Sequence, residues 1–395
     1  MYDTPPLLDD LRAFRGFGQP TRTETEGGIP YFINEFWTSA QRRSHPIHEI
    51  SYRACFKAQL PEFFIQRLTA PDGAVLDPFM GRGTTPVQAA LMGRRALGND
   101  INPLSTLLTR PRLRGITAGQ IATALATVDW ERGEITRPDL LAFYHPETLR
   151  RIEALRLWLA DSAPLDDPAP DPAADWIRMV ALNRLSGHSP GFFSGRSMPP
   201  NQAVSVAAQE KINARLGLTP PVRDVTALIL KKTAALLRAG AAPGGDHRLT
   251  IGPAWDIAVR DASVDLVVTS PPFLDIVHYA ADNWLRCWFA GIDAQSVAID
   301  LHRSEAAWTA MTARVLAEMA RLLRPGGHVA YEVGEVRNGR VLLERLVWQA
   351  VQGLPFQPLG VMVNAQDFTK TANCWGVDNG AKGTNTNRIV LLRRV

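Results

Sequence analysis

Cysteine is scarce in this chain. Its 395 residues hold three, Cys55, Cys287 and Cys374, with no paired spacing. Neither a zinc site nor a disulfide framework is expected, and a reducing, cytoplasmic setting fits best. Long apolar runs are missing too. No stretch reaches membrane-spanning length, and the opening MYDTPPLLDD is acidic without an apolar core, so no signal peptide is expected there. No internal repeat is visible. No Lys-Ser/Thr pair follows Gly83 in the chain's glycine-rich turn, which excludes a phosphate-binding P-loop. Charge of either sign is not in large excess. The net value of +4 is compatible with a polyanionic partner without requiring one. What remains is globular: 46% hydrophobic and 21% charged residues, in a chain too long for one ordinary core. A large domain with an insertion, or two domains, is predicted.

The chain is organised around AVLDPFMGRGTT, Ala74 to Thr85. Ala74-Val75-Leu76 is a short apolar run, as in a buried strand. Asp77-Pro78-Phe79 ends it, because Pro78 cannot donate to a sheet ladder. Gly81 and Gly83 allow positive φ and close approach of a ligand to the main chain. From Thr84 to Gly93 the pattern is helical, with Pro86 in the first turn and Gly93 as a C-terminal stop. A second strand runs from Arg95 to Asn99 and ends at Asp100. Strand, glycine turn, helix and strand form the nucleoside-binding half of a doubly wound sheet. Asp100 follows the glycines by roughly twenty residues, the offset at which an acidic side chain meets ribose hydroxyls.

Residues 1–30 are rich in Thr, Gly and Pro and read as an irregular arm. From 31 to 116 the chain reads as the cofactor-binding half. Aromatic residues there mix with Arg42, Arg43, Arg53 and Lys57, and a short amphipathic helix over Pro61 to Leu68 leads into the Ala74 strand. Residues 117–245 change to helical patterns and read as an insertion. Its Gly/Ser/Pro-rich stretch from Ser186 to Ser205, with His188, Phe192, Phe193 and Arg196, reads as a substrate-facing loop. From 246 to 395 strands and helices alternate again, which implies a mostly parallel sheet with helices on both faces.

Chemistry points to Ser270-Pro271-Pro272-Phe273, at the carboxyl end of the apolar strand Val264 to Thr269. Ligands bind at that edge in open α/β sheets. The Ser270 hydroxyl and the Pro271 carbonyl can accept the two hydrogens of an exocyclic amine, while Phe273 offers a flat face to its ring. Held so, the amine nitrogen is drawn towards tetrahedral geometry and its lone pair is exposed to a methyl donor in the neighbouring pocket. The gain is orientation and proximity.

Together these stretches resemble the amino-group DNA methyltransferases, which move methyl from S-adenosylmethionine to cytosine N4 or adenine N6. DPFMGRGTT is similar to their cofactor motif and SPPF to their Asp/Asn/Ser-Pro-Pro-Tyr/Phe motif. His48 to Phe64 resembles the segment that closes over the methionine part of the cofactor. Phe368 to Leu392 sits where the family carries a hairpin beside the target base. The resemblance implies a doubly wound, mostly parallel, seven-stranded methyltransferase-type α/β sheet with a mainly helical insertion as target-recognition region. It implies S-adenosyl-L-methionine held by Asp77, Pro78, Phe79, Gly81, Gly83, Thr84, Thr85, Asp100 and Ile101, with Ser270, Pro271, Pro272 and Phe273 catalytic. The partner implied is double-stranded DNA, whose target base is flipped out of the stack, with no membrane partner and no metal. Lys370, Asn373, Asn385, Asn387 and Arg388 are expected near base or backbone, and Asp256 or Asp261 near the cofactor's adenine amine. A serine in first position favours cytosine N4, with adenine N6 the alternative. An RNA methyltransferase and an inactive nucleic-acid-binding homologue stay open. Cys287 and Cys374 do not follow a proline, as the nucleophile of carbon methylation does, and read as small core residues.

Overall fold

The computed structural model describes residues 7–38, 44–52, 55–197, 203–274, 279–299, 302–337, 339–365 and 387–395. The chain opens with helix α1 (Leu7–Ala13), then a hairpin of β1 (Arg22–Glu26) and β2 (Ile29–Asn34). Helix α2 (Gln59–Leu68) leads into β3 (Ala74–Asp77), α3 (Thr84–Leu91), β4 (Arg95–Asp100) and α4 (Pro103–Thr109). The helical insertion holds α5 (Ala118–Leu125), α6 (Pro146–Ser162), α7 (Pro172–Arg184), α8 (Val206–Leu216) and α9 (Val225–Leu237). Then follow β5 (Arg248–Ile251), β6 (Val264–Thr269), α10 (Tyr279–Ala290), α11 (Glu305–Leu322) and β7 (Leu323–Val333). A small ladder of β8 (Glu335–Val336) with β9 (Val341–Leu342), helix α12 (Leu343–Ala350), β10 (Phe356–Asn364) and β11 (Asn387–Arg394) complete the order.

Helix starts are written locally. Asn102 accepts from the Leu104 N–H at 2.9 Å, with Pro103 at the first helical position of α4. Thr117 and Gln120 form a capping box on α5. Asp171 and Asp224 cap α7 and α9 through the Ala174 and Ala227 N–H groups, at 2.8 and 2.9 Å. Each such cap satisfies a donor the helix cannot, which contributes about 1 kcal/mol.

The main sheet has nine strands in the order β1-β2-β10-β11-β7-β6-β3-β4-β5. From β3 the chain moves outward through β4 to β5, then returns to lay β6 on the other side of β3. The order therefore reverses between β3 and β6, whose parallel register pairs Val75 with Leu266 and Leu76 with Val267. A ligand crevice opens at such a reversal, beyond the carboxyl ends of the two strands. Strand β11 runs antiparallel between β7 and β10. Alternate residues of each central strand point to opposite faces. Val75, Leu266 and Val268 enter one apolar cluster, with α2, α4 and the insertion, while Leu76, Val267 and Val329 enter another under α11 and α12.

Three expectations are corrected. The sheet has nine strands rather than seven: β5, β4, β3, β6, β7, β11 and β10 are the seven, and the β1–β2 hairpin extends the edge beside β10. Residues 1–30 are accordingly not an irregular arm. They carry α1 and β1, and Leu7 and Leu11 are buried in the core. The substrate-facing loop is also folded inward. Phe193 is fully buried, and Phe192 lies under the Arg184 guanidinium at 4.2 Å from ring centre. Hydrogen bonds from Phe193 N–H to the Arg184 carbonyl and from Ser197 N–H to the Gly187 carbonyl, both 2.8 Å, close it. Those phenylalanines serve packing. Helix α8, just after that loop, had no place in the sequence reading.

The insertion does not stand apart, because Trp176 and Ile177 of α7 share a cluster with Val75 of the sheet. An ion pair adds to this junction. Arg110, after α4, donates to both oxygens of Asp175 on α7, at 2.7 and 2.8 Å, and the Asp175 side chain is completely buried. Asp175→Ala leaves a guanidinium without its fork partner. A loss of about 3–5 kcal/mol is expected, read as a fall in the urea midpoint. Unchanged stability would show that the junction rests on apolar packing alone.

Candidate active site

The glycine turn and the Ser-Pro-Pro-Phe turn follow adjacent parallel strands, so they open on the same edge. Two hydrogen bonds tie them together. The Thr269 hydroxyl donates to Asp77 Oδ1 at 2.6 Å, and the Thr85 hydroxyl donates to the Val268 carbonyl at 3.0 Å. Thr269 immediately precedes Ser270. Asp77 also accepts from the Phe79 N–H at 3.1 Å, which shapes the turn. Pro78 is buried, while Phe79 and Ile101 are half-buried, and Thr84 and Thr85 sit buried in the first turn of α3.

Burial pushes the Asp77 carboxyl up to about 7, and the hydrogen bonds from Thr269 and the turn only partly offset this. In the unfolded chain the group reverts to an ordinary aspartate near 4. Between about pH 4 and 7 the folded chain therefore holds a proton that the unfolded chain has released. Stability contributed here is full below pH 4, falls as pH rises through 7, and is level above it. Asp77→Asn is expected to remove that slope. The difference between wild-type and variant urea midpoints across pH 4–8 measures it; parallel curves would refute the assignment.

The two glycines do different work. At Gly81, φ is +50° and a side chain would meet only Tyr52 at 3.8 Å and the Phe79 carbonyl at 4.0 Å, so the main chain is approachable there. At Gly83, φ is +77° and a Cβ would fall 2.2 Å from the Thr109 hydroxyl. Gly83 lets α3 close on α4. Asp100 is busier than its ribose role alone implies. Its two oxygens accept from the Gly81 N–H at 2.8 Å and the Asn102 N–H at 2.9 Å. It thereby fixes the glycine turn and the start of α4 together, and burial raises its carboxyl above the usual range.

Arg82, between the glycines, donates to the carbonyls of Ile50 at 2.8 Å and Phe56 at 3.2 Å. His48 meets Gln88 of α3 at 2.9 Å, and the Tyr52 hydroxyl accepts from Asn102 at 2.9 Å. Part of His48 to Phe64 thus lies against the glycine turn, as the resemblance implied. Arg42, Arg43 and Arg53 lie outside the described residues.

At the Ser-Pro-Pro-Phe turn, the Trp308 indole donates to the Pro272 carbonyl at 2.9 Å. The Pro271 carbonyl has no donor among the described residues. Phe273 is half-buried against the α11 side of the core. Glu332 of β7, a residue 6% exposed, lies beside Ser270, and Asn387 of β11 donates to its carboxylate at 2.8 Å. Burial pushes Glu332 up, and the nearby Ser270 hydroxyl and the Asn387 amide pull it back. Neither Glu332 nor Trp308 was singled out from sequence. Their only signal is register: β7 lies beside β6, with Tyr331 opposite Thr269, which puts Glu332 one step beyond, level with Ser270.

Some expected residues go elsewhere. Arg388 is bound to Glu344 at 2.6 Å and Glu335 at 3.1 Å, so its charge is used inside the protein. Asp261 pairs with Arg321 at the amino end of β6, the edge opposite the crevice. Asp256 is exposed after β5, at the crevice edge. Cys287 is buried, as a small core residue should be. Lys370, Asn373, Cys374 and Asn385 lie outside the described residues.

Residues 22–105 match a family model described as a DNA methylase, covering the cofactor side of this site. The type II methyltransferase M.MjaII of Methanocaldococcus jannaschii is 38% identical over 77 residues, which is 19% of this chain and 14% of that one. M.MvaI of Kocuria varians is 30% identical over 108 residues, 27% of this chain and 23% of the relative. Over this segment the chain is similar to amino-group DNA methyltransferases. It spans under a quarter of the length of either relative. The family match ends before the Ser270 turn, so that turn's role in the family chemistry rests on its own geometry.

Proposed function

We propose that the protein methylates an exocyclic base amine in double-stranded DNA with S-adenosylmethionine as donor. The observation that carries this reading is the direct bond between the two turns, Thr269 to Asp77 at 2.6 Å. It couples a glycine turn with an approachable main chain to a proline-locked turn with two amine acceptors. When bound, S-adenosylmethionine supplies an electrophilic methyl on a positively charged sulfur. Asp77, Phe79 and Gly81 suit its methionine side, and Asp100 and Ile101 its nucleoside side. A cationic donor beside a carboxyl that burial holds near 7 favours the ionised form, which favours binding.

The chain's own residues then act on the amine. With Glu332 beside it to take the hydroxyl hydrogen, the Ser270 oxygen is left as an acceptor for the amine. The Pro271 carbonyl is the second acceptor. The neighbouring Pro272 carbonyl is already taken by Trp308, which holds the turn in place. Phe273 supports the ring. Two acceptors on one amine localise its lone pair for attack. Flipping the base costs a few kcal/mol, which the stacking surface and the amine bonds offset. Cytosine N4 is the favoured acceptor, on the serine at the first position of the turn; adenine N6 is the alternative.

Incubating the full chain with methyl-tritiated S-adenosylmethionine and mixed-sequence duplex DNA, followed by nucleoside separation, tests the reading. Label in N4-methyldeoxycytidine is expected. Label in N6-methyladenine corrects the base. No labelled base, with cofactor binding demonstrated calorimetrically, refutes methylation.

A further inference from the structure

A cleft of about 640 Å³ opens between the loop carrying Glu49 to Cys55 and the insertion helices α7 and α9. Its wall carries Arg82, Arg184 and Lys232. Tyr52 lines it as well and is the side chain nearest Gly81, so the cleft begins beside the proposed active site.

Its charges do not balance. Arg184 donates to the carbonyls of Asn183 and Gly191 and to the Asn183 amide oxygen, none of them charged. Arg82 is held by two carbonyls and the Thr84 hydroxyl. Beneath it, fully buried Arg112 bonds only the carbonyls of Leu108, Ile47 and Arg82. Lys232 lies 3.8 Å from Glu49, which Arg238 also engages at 2.7 Å. Among the residues lining the cleft, three cations, Arg82, Arg184 and Lys232, thus face one carboxylate, Glu49. Burial and mutual repulsion lower Lys232 to about 8, and burial lowers Arg184 to about 10. Holding these cations together without counter-charge is costly, and an anion in the cleft would relieve it.

We propose that this cleft seats backbone phosphates of the strand that carries the target base, with Lys232 and Arg184 meeting the phosphate oxygens. The inference rests on the DNA methylation reading. A single carboxylate, such as the one on the cofactor's methionine, would neutralise one charge and leave the excess on α7 and α9. The volume and the spread of charge over two helices fit a phosphodiester chain. A flipped base keeps its own phosphates outside the pocket, so a basic rim beside the site is where they must run. These contacts carry no base information. They hold the strand in register.

The test uses the full chain, a fluorescein-labelled mixed-sequence duplex of about 24 base pairs, and anisotropy titrations from 50 to 300 mM KCl. Lys232→Gln and Arg184→Gln are each expected to reduce the salt slope by about one and to weaken binding about tenfold at 100 mM. Lys232→Arg restores both. Cofactor affinity, measured calorimetrically, stays within about twofold. Unchanged slope and affinity in both glutamine variants, while wild-type protein binds the duplex, overturn the cleft assignment and leave methylation standing. Lost cofactor affinity with intact duplex binding gives the cleft to the cofactor's carboxylate and likewise overturns it. Wild-type protein that binds cofactor but no duplex overturns both readings.

Discussion

Ser270→Ala lowers the rate of methyl transfer at saturating substrates by about two to three orders of magnitude and leaves the cofactor dissociation constant within about twofold. The size follows from losing one preorganised acceptor in a dry site. The separation of rate from affinity follows from geometry, since Ser270 faces the amine and Asp77 and Gly81 shape the cofactor side. Glu332 extends the argument. It lies beside the Ser270 hydroxyl, and by accepting its hydrogen it would set which way the serine oxygen presents its lone pairs. It acts through Ser270, so it is a positioning residue. Glu332→Leu frees the hydroxyl to turn and is expected to approach the alanine variant in rate. Glu332→Gln keeps an acceptor and is expected to cost only about tenfold. The decisive comparison is the double variant Ser270→Ala/Glu332→Gln. If Glu332 works through Ser270, the double variant is no slower than Ser270→Ala. Additive losses, or a Glu332→Gln variant with full rate and an unaltered pH profile, would remove Glu332 from the site.

Asp100→Ala reverses the pattern. Cofactor affinity is expected to fall by about ten- to a hundredfold, with the rate at saturating cofactor much less affected. Two losses add here. One is the acceptor for the ribose hydroxyls. The other is the pair of bonds that hold Gly81 N–H at 2.8 Å and Asn102 N–H at 2.9 Å. Hydrogen bonds to a charged acceptor contribute about 1.5–3 kcal/mol each. Asp100→Asn is expected to be nearly as damaging. An amide has one accepting oxygen, while its NH2 group would face a second backbone donor. Calorimetric titration with S-adenosylmethionine measures both variants. An asparagine variant with wild-type affinity would show that the turn holds its shape without Asp100.

Local signals were legible wherever a single segment carries its own reason. The Ala74 strand, the glycine turn, α3 with Gly93 beyond its end, and the Asn102-Pro103 start of α4 follow from residues a few positions apart. The helical patterns read across residues 117–245 also appear as helices, α5, α6, α7 and α9 among them. The missed elements were those whose reason lies far along the chain. β1 read as part of an arm because its hairpin partner β2 is placed in the sheet by β10, more than three hundred residues later. The charge in α8 masked a short helix that has only Gln209 buried. Phe192 and Phe193 read as substrate-facing because a Gly/Ser/Pro-rich stretch has no periodicity to reveal an inward turn.

The motif spellings alone, DPFMGRGTT and SPPF, were enough to place a glycine turn and a proline turn on an α/β sheet, because each encodes a backbone shape through its prolines and glycines. That the turns meet was decided by strand order. The reversal between β3 and β6 sets Thr269 against Asp77, and the pairing of β7 with β6 brings Glu332 behind Ser270. The cationic cleft is likewise a product of packing, since its charges come from the loop before α2, the glycine turn, α7 and α9. Side chains so distant in the chain meet only when the core closes, and no spacing rule in one dimension can state that.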